Sequence, residues 1–259
     1  MVLKEGRLVA LILLLGSFAL YYIYTKLAEQ GKEFKIRSLP PLEAIPEAVG
    51  RCAEMGRPMF YTTGITSSLS NTAGAYTLAS ITILGRLARH LAKTGVKLKL
   101  FTSTIDAMPL IQETIKNAYQ MEGKPEDYSD DFIELIANQS SLVSRYLGAL
   151  QRERPAAACL IGSLAYESVV LSEGGNTIGA MQISGTVNHY QIPFLVASTD
   201  YCLISEELYA AAAAVSGEAG SIGPIAAEDM IKLIILAIML LGIVLGSLGN
   251  TTLLTILEV

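Results

Sequence analysis

Two uncharged apolar runs, residues 8–24 and 233–248, stand near the two ends of this chain of 259 residues and constrain it more than any other feature. At 1.5 Å per residue the first run covers roughly 25 Å of a hydrocarbon core about 30 Å thick, so each run predicts a membrane-spanning helix. Tyr21, Tyr22 and Tyr24, followed by Lys26, form the aromatic and cationic edge expected at a headgroup boundary. Lys4 and Arg7 precede the run, as in a cleaved signal peptide, but no small-residue cleavage pattern follows, which favours a retained anchor.

The second run begins after Glu228 and Asp229, with Lys232 near enough to snorkel to the boundary. Gly249-Asn250-Thr251-Thr252 interrupts it before a last apolar patch, residues 253–257. Either one long tilted helix continues, or the span ends near Gly249 and the tail lies in the interface; the second arrangement is favoured. Gly242 and Gly246 are spaced so that two helix backbones can approach closely, which makes them the candidate oligomerisation contact, although glycine is common in membrane helices anyway.

Cations near the spans set the expected orientation. Lys26, Lys32, Lys35, Arg37 and Lys232 lie on the domain side, against Lys4, Arg7 and the amino terminus on the other, so the intervening domain is expected in the cytoplasm of a two-pass protein of the cell membrane. Cys52, Cys159 and Cys202 agree, being an odd and widely spaced set that suits a reducing compartment better than a disulfide framework. A net charge of −5 without clustered cations argues against a nucleic-acid partner.

Between the anchors the chain alternates short apolar runs with helical patterns. This predicts an α/β fold: a single soluble domain with a mostly parallel or mixed sheet covered by helices, flanked by one transmembrane helix on each side. The expected boundaries are residues 1–25 for the first anchor, 26–41 for a connector, 42–229 for the domain and 230–259 for the second helix and tail. Helices are predicted over 46–55, from a point after Asn71 to 93, over 109–119, from Ser129 or Asp130 through Phe132, Ile133, Leu135 and Ile136, onward to Leu150, and over 164–172, where Gly174-Gly175-Asn176 would stop the helix. Strands are predicted over 59–62, 96–101, 156–161, 179–183 and 193–197. Ser205-Glu206-Glu207 reads as an N-cap with two first-turn acids. The alanine runs 156–158 and 210–214 predict tight packing, including packing against other copies.

In an open parallel sheet, ligands bind outside the carboxyl ends of the strands. The loops expected there place Thr62, Thr63, Gly64, Thr102, Ser103, Asp106, Gly162, Ser163 and Asp200 as candidate ligand-binding residues. Helix N-termini beyond these loops offer N–H groups to an anion, and the hydroxyls add donors. Turn and capping chemistry accounts for the same residue types without any ligand. Ser163, Glu167, Glu173, His189 and Asp200 include the types a nucleophile and base require, yet no nucleophile-elbow pattern surrounds Ser163, and capping explains it better. His90 and His189 are the only histidines, no CxxC or HExxH occurs, and neither a P-loop nor a dinucleotide fingerprint is present, so neither a metal nor a cofactor is expected.

Several blocks carry a resemblance: Ala48-Val49-Gly50-Arg51, Glu54-Met55-Gly56-Arg57-Pro58, Glu167-Ser168, Gly179 through Thr186, Gln191-Ile192-Pro193-Phe194 and Asp200 through Leu208. In this order, over about 34–241, the chain resembles a prokaryotic membrane-protein family built on a domain of unknown function with a hydrophobic segment on each side. It departs from that pattern at Ser205, where glycine is expected, and at Tyr166, where alanine is expected. The resemblance implies the architecture and supplies no reaction or catalytic residue. Two functional classes fit: a membrane-anchored, self-assembling scaffold, which the alanine runs and glycine spacing favour, and a tethered ligand-binding or hydrolytic domain using the strand-end loops. The expected partners are the lipid bilayer, further copies of the chain and, in the second class, a small molecule.

Overall fold

The computed structural model describes residues 8–34, 36–65 and 68–248. Lys4, Arg7, Lys35, the 249–252 interruption and the 253–257 patch lie outside them. The chain divides into two compact units, one spanning Ser38–Val215 and one joining the chain up to Arg37 with the chain from Ser216 onward.

In the terminal unit, α1 (Leu8–Glu29) packs along α10 (Ala219–Ser247). Contact between late α1 and early α10 makes the pair antiparallel, and it depends on Gly223: a Cβ there would lie 2.6 Å from the Thr25 Cα. The small residue lets the two backbones touch. Both helices are long and apolar enough to cross a membrane. Ile12, Phe18, Leu236 and Ile243 are each more than half exposed, an apolar surface that the described residues leave uncovered.

The other unit begins with α2 (Pro40–Glu43) and α3 (Ile45–Met55), then alternates strand and helix. β1 (Met59–Gly64), α4 (Gly74–Thr94), β2 (Leu98–Thr102) and α5 (Met108–Met121) lead to β3 (Ile133–Leu135), α6 (Gln139–Glu153) and β4 (Ala157–Ser163). The chain continues through α7 (Glu167–Ile178), β5 (Met181–Thr186), α8 (Ile192–Ser198), β6 (Tyr201–Ile204) and α9 (Glu207–Ser216). All strand pairs are parallel, in the order β3-β2-β1-β4-β5-β6. Two helix layers cover the sheet, with α4 packed against α3 and α5, and α7 packed against α6 and α8. The α/β class expected from the alternating pattern is therefore the fold.

Both strands are buried along their whole length, which explains why β1 opens on Met59-Phe60-Tyr61 and β4 reads apolar from Ala157 to Ile161. Phe60 packs with Phe101 and Tyr146 of α6, ring centroids 5.0–5.6 Å apart, and the cluster extends to Leu150, Leu171 and Leu195. One residue along, Tyr61 takes the opposite direction and donates to the Ser80 carbonyl of α4 at 2.8 Å. This alternation is the period of two that a strand imposes.

Four expectations need correction. Residues 133–135 form an edge strand where a helix was predicted: Ser129 caps only a short 3-10 turn (Asp130–Phe132), and Ile133 then pairs with Leu100. Pro193 sits in the first turn of a helix, where no N–H is required, rather than in a strand. Gly174 and Gly175 do not stop α7. They lie inside it, where a Cβ on Gly174 would crowd Leu147 of α6 at 2.7 Å and one on Gly175 would meet the Gln182 amide at 2.5 Å; the left-handed Gly179 ends the helix instead. Finally, Ser205 adopts a positive φ of 53° and α9 starts at Glu207, whose carboxylate accepts from the Ile204 N–H.

Candidate functional site

The strand order reverses direction between β1 and β4, so the carboxyl ends of these two strands define a switch point, the place where open parallel sheets bind ligands. Eight of the nine expected ligand-binding residues gather on this edge: Thr62, Thr63 and Gly64 end β1, Gly162 and Ser163 end β4, and Thr102, Ser103 and Asp106 end or follow β2. Asp200 does not. Because residues 192–198 are helical, Asp200 enters β6 at the amino edge, where its carboxylate accepts from the Gln182 N–H at 2.7 Å. There it clamps the start of two strands.

The floor of the switch point is main chain. Gly64 has φ of 83° and Gly162 has φ of 140°, and each lies against the opposite strand: a Cβ on Gly64 would overlap the Ser163 carbonyl oxygen, and one on Gly162 would overlap that of Thr63. The ladder shifts register between Thr62 and Gly64, and the Ile65 N–H donates to the Ser163 carbonyl at 3.1 Å. Only glycine fits both conformations and both approaches.

Hydroxyls crowd this floor. The Thr63 and Thr102 Oγ1 atoms are 2.8 Å apart, Thr62 Oγ1 accepts from the Gly64 N–H, and Ser103 donates to the Ile65 carbonyl at 2.7 Å. Beneath it, the Ser80 hydroxyl donates to the Ile161 carbonyl at 2.5 Å and ties α4 to β4. Asp106 organises the loop before α4, accepting from the Ser68 hydroxyl and the Leu69 N–H at 2.7 Å each, and from the Ser70 hydroxyl at 3.2 Å. The Ser68 hydroxyl, ahead of the Leu69 and Ser70 donors, holds the Asp106 carboxyl below its ordinary range.

Two side chains on this side of the sheet escaped the sequence reading. Thr77, in the first turn of α4, and Thr104, in the loop after β2, are at most 1 % exposed, yet neither hydroxyl has a hydrogen-bond partner among the described residues. An unsatisfied buried hydroxyl costs about 1–3 kcal/mol, so each is a group with unused bonding capacity. α4 also lacks a side-chain cap at its N-terminus. The only signal in sequence was the threonine density of the two loops.

The residue types of a nucleophile and base are dispersed. His189 and Glu173 are exposed, one in a turn and the other on α7. Glu167 is fully buried, its carboxylate accepting from the Ala165 N–H at 2.9 Å and the Gln139 amide at 2.7 Å, which closes the turn before α7 and joins it to α6. Its neighbour Ser168 donates to Gln191 at the start of α8. Among the described residues no three His, Cys, Asp or Glu side chains gather as a metal site. Burial pushes the Cys52 thiol up to about 11, which keeps it protonated and unreactive at neutral pH.

The edge therefore gathers hydroxyls and close-packed main chain at the switch point, with the Asp106 carboxylate engaged in shaping the loop. No curated protein and no solved structure matches this chain. The model of the domain of unknown function DUF6754 matches residues 1–257, and the chain, as the order of its sequence blocks implied, belongs to that family.

Proposed function

We propose that residues 38–215 form a ligand-binding α/β domain, tethered to a bilayer by α1 and α10, which takes a small polar or anionic ligand at the β1/β4 switch point. The observation that carries this reading is the reversal of strand order above a threonine-rich edge. The unpartnered Thr77 and Thr104 hydroxyls support it. The tether rests on the length and apolar character of the two helices, and a cytoplasmic position of the domain rests on the cations flanking them.

Self-assembly through Gly242 and Gly246 is the second reading. A Cβ on Gly246 would meet no other described residue within 4 Å, which leaves room for another helix. The alanine runs favour assembly less, since Ala157 and Ala158 are buried in β4, and Ala210, Ala211 and Ala213 are buried too.

The test uses the full chain in nanodiscs, screened by thermal shift against inorganic phosphate, nucleotides and phosphorylated metabolites. A ligand at a hundred times its dissociation constant stabilises by about 2.7 kcal/mol, and Thr104→Val should abolish that shift. No shift with any compound, or a shift unchanged in Thr104→Val, refutes the site. Mass measurement of the detergent-extracted chain decides the second reading, which a monomer would end.

A further inference from the structure

A groove of about 620 Å3 runs between α4 and α5, within the range of small-molecule sites. Its α4 wall consists of residues spaced three and four apart, hence of one helix face. That face changes character along its length. Leu78 and Ile81 come first, joined across the groove by Leu110 of α5, and Arg86, Arg89, His90 and Lys93 follow. Eight residues, about 12 Å of helix, separate Leu78 from Arg86. Between the two ends the floor is narrow: a Cβ on Gly85 would lie 3.1 Å from the Thr114 methyl.

The cationic end is only partly neutralised. Arg89 and Lys93 share Glu122 at 2.9 and 3.5 Å, whereas Arg86, half-buried, has no ion pair among the described residues. Three cations against one carboxylate leave two positive charges there, and no acidic residue is among those lining the groove. His90 registers this field: burial first, then Arg86, Lys93 and Arg89, hold its proton affinity below the ordinary histidine range. At the other end Leu78 is an apolar side chain left 47 % exposed by the described residues.

We propose that this groove binds a long-chain carboxylate, its head on Arg86 and its chain lying along Leu78, Ile81 and Leu110. The planar guanidinium matches a carboxylate through two parallel hydrogen bonds, and the apolar end removes the chain from water. A neutral chain would satisfy only the apolar half, and a free inorganic anion only the basic half. This site is independent of the switch point.

Photolabelling tests it in the full chain in phosphatidylcholine nanodiscs. The probes are a sixteen-carbon carboxylic acid bearing a diazirine on its chain and the matching alcohol, with adducts mapped by mass spectrometry. The acid should label the α4 and α5 peptides around Leu78 and Leu110, and the alcohol about tenfold less, the factor set by losing a charged hydrogen-bonded pair. Arg86→Gln should lower acid labelling by a similar factor and Arg86→Glu by at least as much, while Arg86→Lys retains most of it, and two variants lacking the cation guard against misfolding of either one. Equal labelling by acid and alcohol, labelling confined to α1 and α10, or labelling unaffected in both Arg86→Glu and Arg86→Gln would overturn the proposal. Blocking of the label by an acidic amphipathic peptide but not by unlabelled acid would also overturn it, making the groove a peptide site.

Discussion

Replacing Gly64 by alanine should destabilise the 38–215 unit far more than the same replacement at Gly95, although both glycines have left-handed backbones. Gly95 has φ of 71° and open space where a Cβ would go, so alanine there carries only the left-handed penalty of about 1–2 kcal/mol. Gly64, with φ of 83°, carries that penalty and in addition drives a methyl into the Ser163 carbonyl. A backbone atom cannot swing aside, so β1 and β4 must separate, at a further cost of about 1–3 kcal/mol for overpacking. A sum of about 2–5 kcal/mol is a large part of the roughly 5–15 kcal/mol that holds a domain folded. For a unit of this size each kcal/mol moves Tm by about 2–4 °C, so Gly64→Ala should melt about 10 °C lower and Gly95→Ala about 4 °C lower. The assay is thermal unfolding of the full chain in nanodiscs, with hydrogen exchange resolved on the β1 and β4 peptides. Equal losses for the two variants, or unchanged exchange at β1 and β4 in Gly64→Ala, would show that the strand ends are not locked by main-chain contact.

The remaining predictions concern a charge and a strained residue. Asp106 has a depressed carboxyl in the folded state, so its hold on the 68–70 loop is complete above the ordinary aspartate range and is lost as pH falls through the depressed value; protection of the Leu69 amide, corrected for intrinsic exchange, should fall over that acid window in the native chain and show no such step in Asp106→Asn. Ser205 holds a positive φ of 53° where the family resemblance leads one to expect glycine, so Ser205→Gly should raise stability by about 0.5–1 kcal/mol, read as a Tm increase of about 2 °C.

Local physics made part of this fold legible. Met59-Phe60-Tyr61 is a short apolar run that reads as a buried strand, and the helix expected to reach residue 93 ends at Thr94, closed by the left-handed Gly95. β3 was hidden because three residues carry no usable period; the strand is set by pairing with β2, and Lys99 meets Glu134 across that pair at 3.1 Å. Gly174 and Gly175 misled because a glycine pair signals a helix stop only when nothing crowds it, and here α6 and Gln182 demand the missing side chains. Strand order lies in no local window at all. The hydroxyl cluster was anticipated from the loops, but the assignment of Asp200 failed with the mistaken strand before it, and Thr77 and Thr104 became distinctive only once their burial was known.

The contact between Gly223 and Thr25 joins residues 198 positions apart. Ribosomes add about 5–20 residues per second, so Thr25 is made about 10–40 s before the residue it packs against. Throughout that interval the α1 face that will meet α10 waits for its partner, while Tyr24 can already pack against Phe34, ring centroids 5.3 Å apart. The pairing of the two helices is thus a late event of synthesis, since it must await the small residue that permits it.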